Sequence, residues 1–162
     1  MVTLRCTRRL LKHLGVRPMS ELQPPTTTLG DWYANLLFTR RRRLIICVSE
    51  RTLLSVLVLA KDPTTLPNRF RDAVLALLRQ LGVPGAQLEA EAREMKAVAF
   101  GTTASQRVLG SMNDLVSQCR WRLKDSPDID SGTLALELSE IPCGPLSYRY
   151  PREVALEMFG AV

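Results

Sequence analysis

Residues 31–60 read DWYANLLFTRRRRLIICVSERTLLSVLVLA. Three β-rich runs, 32–38, 43–48 and 53–59, are dense in Val, Ile, Leu and aromatic side chains and are separated by short polar breaks. Runs spaced in this way pair as hairpins, so an antiparallel meander is expected. The last two are almost continuously apolar, as in central strands covered on both faces, and helices must supply that cover.

The flanking sequence provides such helices. Phe70, Ala73, Val74, Leu77, Leu78 and Leu81 recur at the spacing of one buried helical face, ended by Gly82 with Pro84 beyond. A more polar helix is expected over 84–95, carrying Leu88, Ala92 and Met95 inward. Residues 96–101 fit a helix end or a strand. A long helix over 103–124 has a continuous stripe of Val108, Leu109, Met112, Leu115, Val116, Cys119 and Leu123.

Toward the start, residues 2–6 read as a strand followed by a helix that Thr7 caps and Gly15 ends. Residues 17–29, rich in Pro and Thr, read as a surface connection. Toward the end, 133–138 alternates as a strand and 151–159 suits a helix with Pro at its first turn. The expected fold is therefore α+β: one domain over 1–162, a mostly antiparallel sheet packed by amphipathic helices.

The 162 residues are 46% hydrophobic and 23% charged, within the range of ordinary globular chains. No apolar run approaches bilayer length, so no membrane span is expected. Cys6, Cys47, Cys119 and Cys143 are scattered, and the single His13 completes no zinc set. Neither a metal nor a cofactor is expected, and apolar surroundings for Cys47 and Cys119 point to a reducing, cytoplasmic setting. Phosphate-loop, dinucleotide, zinc-protease and nucleophile-elbow motifs are all missing.

Charge is uneven. Residues 1–51 hold ten Lys/Arg against three Asp/Glu, and the remainder twelve against thirteen. The densest element is Arg40, Arg41, Arg42 and Arg43, placed at the turn between two strands. Two readings stand: a phosphate-gripping hairpin that serves a nucleic-acid or other anionic partner, or a charged guard against edge pairing of an aggregation-prone strand.

The outer side of the 103–124 helix is also unusual, because Gly110, Asp114, Ser117 and Trp121 fall together about half a turn from the core stripe. A Gly and a Trp on a solvent face suggest that a loop of the chain or a second subunit covers them, which makes a homodimer one expectation. Asn35, an amide in an apolar strand, needs hydrogen-bond partners that either a structural cluster or a binding site would provide.

The strings Leu29-Gly30-Asp31-Trp32-Tyr33-Ala34-Asn35-Leu36 and Arg107-Val108-Leu109-Gly110-Ser111-Met112-Asn113-Asp114 resemble a family of short bacterial proteins known only as a domain of unknown function. Leu4-Arg5-Cys6-Thr7 and Pro142-Cys143-Gly144-Pro145 are similar to it as well, while Leu115 stands where an aromatic is expected. The resemblance covers nearly the whole chain and implies an intact domain in a bacterial cytoplasm, with no activity to carry over. Its motifs coincide with the chemically odd positions, which makes Asp31, Trp32, Asn35, Arg107, Asn113 and Asp114 the candidate site. The leading expectation is a non-enzymatic binding module. The alternatives are a hydrolase or transferase using Asp31 or Asp114 with Asn35 and Arg107 in a polar pocket, and a nucleic-acid-binding accessory protein.

Overall fold

The computed structural model describes residues 1–161. The chain runs β1 (Val2–Cys6), α1 (Arg8–Leu14), β2 (Trp32–Phe38), β3 (Arg43–Ser49), β4 (Ser55–Leu59), α2 (Leu66–Gln80), α3 (Gly85–Glu94), β5 (Val98–Thr102), α4 (Gln106–Asp125), α5 (Ser131–Leu138) and α6 (Pro151–Met158). A 3-10 turn, Gly144–Leu146, precedes α6.

One five-stranded sheet has the order β4-β3-β2-β1-β5. The meander expected from 31–60 is present as β2-β3-β4, antiparallel throughout. The sheet as a whole is mixed, because β1 lies parallel to both β2 and β5. The reason is chain length: the connection from β1 to β2 contains α1 and a long loop, enough to return the chain to the end of the sheet where β1 begins for a parallel crossover. The ambiguous stretch near 96–101 resolves as edge strand β5 because its backbone completes β1's second ladder.

Side-chain alternation along β2 divides the interior into two cores. Trp32, Ala34 and Leu36 join Leu4, Ile45, Val56, Phe70 and Val74 on the face covered by α1 and α2. Tyr33 and Leu37 join Ile46, Leu57, Met112, Leu115 and Cys119 beneath α4. Trp32 packs edge-on against Phe70, with ring centroids 5.4 Å apart.

Residues 133–138 do not form the expected strand. Asp130 caps a helix there, its carboxylate accepting the Thr133 amide at 2.9 Å, and Leu134, Ala135 and Leu138 are the buried face. The helix packs against β4, an edge strand of the sheet. At the β3–β4 turn, Leu53 adopts a left-handed φ of 59°, so β4 starts two residues later than the apolar pattern suggests.

Candidate functional site

The four consecutive arginines divide by role. Thr39 and Arg42 close the hairpin, with the Thr39 amide donating to the Arg42 carbonyl at 2.8 Å. The Arg42 guanidinium then reaches across to donate to the Ile129 carbonyl and, at 3.1 Å, to Ser131 Oγ. Arg43 lies over the Phe38 ring, 5.3 Å from its centroid. Arg42 is thus a staple and Arg43 a cover, while Arg40 and Arg41 turn toward a shared surface.

That surface is a cavity of about 350 Å³ lined by Thr39, Arg40, Arg41, Arg120, Lys124 and Pro127. The last turns of α4 bring Arg120 and Lys124 to the tip of the hairpin, where Arg120 donates to the Phe38 carbonyl at 2.9 Å. Four cations therefore meet at one concavity. The only acidic partner within ion-pair distance of any of them, among the described residues, is Asp128, 3.7 Å from Arg41 with both ends exposed. Such a pair is weak in water and readily exchanged for another anion. Arg120 and Lys124 escaped the sequence reading, although their four-residue spacing on one helix was a signal that they project together.

A second cavity, about 340 Å³, is lined by Leu53, Ser111, Asp114, Leu115, Ser117, Gln118 and the 141–145 segment, including Cys143. Burial, and secondarily the Asp114 carboxylate, push the Cys143 thiol upward, so it stays protonated at neutral pH. That is the wrong direction for a nucleophile. Arg107 closes the rim by donating to the Pro145 carbonyl at 2.9 Å.

The six motif residues do not converge. Asp31, buried, accepts from the Thr3 amide at 2.9 Å and from Arg5 Nε at 3.4 Å, so its carboxylate ties β1 to β2. Close by, Gly30 has φ of +76°, and a Cβ there would meet Glu50 Oε1 at 2.7 Å, the same oxygen that accepts the Asp31 amide. Trp32 is in the core on the opposite face from Asn35. Asn35 Oδ1 accepts the Thr7 hydroxyl at 2.7 Å and the Leu36 amide at 2.8 Å, a structural link from the α1 cap to β2. Asn113 and Asp114 are exposed on α4, and Asp114 faces the Cys143 cavity, whose lining does not include Asp31.

Along the outer face of α4, a Cβ on Gly110 would meet nothing within 4 Å. Trp121 is 65% exposed, so no loop among the described residues covers it. Among the described residues no group of three or more His, Cys, Asp or Glu could hold a metal ion, and no helix is long and apolar enough to cross a membrane.

A family model described as Domain of unknown function (DUF6933) matches residues 3–154. No curated protein and no solved structure matches the chain.

Proposed function

The chain belongs to the DUF6933 family, a domain of unknown function, and from its geometry we propose a non-enzymatic binding module whose ligand is a phosphate-bearing anion. The observation that carries this reading is the concavity where Arg40, Arg41, Arg120 and Lys124 meet. Arginine presents a planar fork suited to phosphate oxygens and lysine a mobile point charge, and four such groups at one wall favour an anion strongly. The chain's formal charge of +6 adds long-range attraction.

The enzyme alternative lacks comparable support, because Asp31 is consumed by Thr3 and Arg5 while the Cys143 thiol beside Asp114 is held protonated. The four cysteines are free and three of them are buried, which supports a reading of the protein as a resident of a reducing cytoplasm.

Binding of labelled inorganic polyphosphate, followed while salt is raised, tests the proposal. Affinity is expected to fall steeply with salt and to drop at least tenfold in the Arg40→Ala/Lys124→Ala double variant, which loses two of the four charges. Binding indifferent to both salt and those substitutions would reject it.

A further inference from the structure

We propose that the anion is single-stranded nucleic acid, with Trp121 as a stacking platform for a base beside the phosphate-binding concavity; this rests on the phosphate reading above. Trp121 follows Arg120 directly on α4 and precedes Lys124 by three residues, and side chains three apart on a helix are surface neighbours. The indole is therefore carried on the same turns of α4 as two of the cavity's four cations.

Its environment argues for a partner. Trp121 is 65% exposed, and among the described residues the one cation over its ring is the Arg122 guanidinium, 5.7 Å from the centroid. Arg122 is itself held by Gln118 at 2.8 Å and lies 3.8 Å from Glu137, so the cation beside the indole is fixed from two sides. The other tryptophan, Trp32, is 1% exposed and packed on Phe70. An exposed indole with Arg122 over one face, carried beside converging arginines and a lysine, is the combination that holds an unpaired strand: phosphates are neutralised while a base stacks on the other aromatic face. A duplex offers no free base face along its length, and a polyanion without bases has nothing to place on the ring.

The two-tryptophan chain supplies its own reporter, since the acrylamide-accessible emission comes from Trp121. Oligothymidylate, an abasic sugar-phosphate chain of equal length, the corresponding duplex and inorganic polyphosphate would be titrated against the intact protein. Oligothymidylate is expected to quench Trp121 and to bind roughly tenfold more tightly than the abasic chain. Followed with end-labelled ligands, because the variants have lost the reporter, Trp121→Ala should remove that advantage and leave abasic and polyphosphate binding unchanged, whereas Trp121→Phe retains most of it. Asp128→Asn, by freeing Arg41, should tighten all single-stranded ligands.

Equal binding of oligothymidylate and the abasic chain, indifferent to Trp121→Ala, overturns the stacking inference while leaving the phosphate reading intact. Preference for the duplex overturns it as well. Loss of salt-dependent binding to every probe, polyphosphate included, sinks the phosphate reading itself. Light scattering that reveals a dimer dissolved by Trp121→Ala would instead give this face to a second copy of the chain. Because Trp121 is exposed, its variants are expected to keep the parent's melting temperature, so lost binding is not lost folding.

Discussion

Thr3 lies on β1 with its hydroxyl buried and, among the described residues, without a hydrogen-bond partner. Valine has the same shape and no hydroxyl, so Thr3→Val is expected to raise stability by about 1 kcal/mol, read from chemical denaturation. Glu91, on α3 and 2% exposed, holds the long 15–31 connection by accepting the Thr28 amide at 2.7 Å and the Leu29 amide at 3.2 Å. Burial pushes its carboxyl up despite those bonds. The folded state then binds the proton more tightly than the unfolded chain, so the stability Glu91 contributes is full at acid pH. It is lost as pH rises through and above the ordinary glutamate range. Glu91→Gln should flatten that part of the decline in melting temperature as pH rises through and above the ordinary glutamate range. Asn35 was legible as an oddity because an amide among apolar neighbours demands partners. That the partner would be Thr7, already capping α1, depends on contacts no local pattern contains.

Between elements, the hairpin and the 125–130 loop depend on each other through Arg42. Removing that staple in Arg42→Ala is expected to cost about 1–3 kcal/mol by leaving part-buried acceptors unpaired, whereas Arg40→Ala should cost under about 0.5 kcal/mol. Urea unfolding of the two variants makes the comparison. Four arginines in a row look alike in sequence, and only tertiary packing makes one a staple and turns two of them into a cavity wall. The same holds for Arg120 and Lys124, which join the site because α4 ends at the hairpin tip. The mistaken strand at 133–138 shows local pattern losing to a cap: Leu134, Leu136 and Leu138 alternate, yet Asp130 initiates a helix whose buried positions include Ala135 as well.

Across the protein, the two-sided sheet was readable from the unbroken apolar runs of β3 and β4, and the amphipathic stripes of α2 and α4 named the two covers. The parallel pairing of β1 was not readable. Its partners lie far along the chain, and an apolar strand pattern carries no record of which neighbour runs the same way. Both cores share the sheet, so damage on one face should be felt by the whole fold. Phe70→Ala, which empties the site against Trp32, is expected to cost about 3–5 kcal/mol in a single cooperative transition followed by both tryptophan emission and circular dichroism. Independent melting of the two probes would contradict that coupling.

The burial of the cysteines gives the folded protein a built-in clock. Cys6 and Cys119 are each pushed up to about 12, Cys47 is raised well above the ordinary thiol value, and only Cys143 is partly exposed. A thiol-trapping reagent at mild pH therefore finds one slow reactive sulfur in the native chain and reaches the other three only when the sheet opens. The rate of that later capture measures how often the interior breathes, without any label having been added.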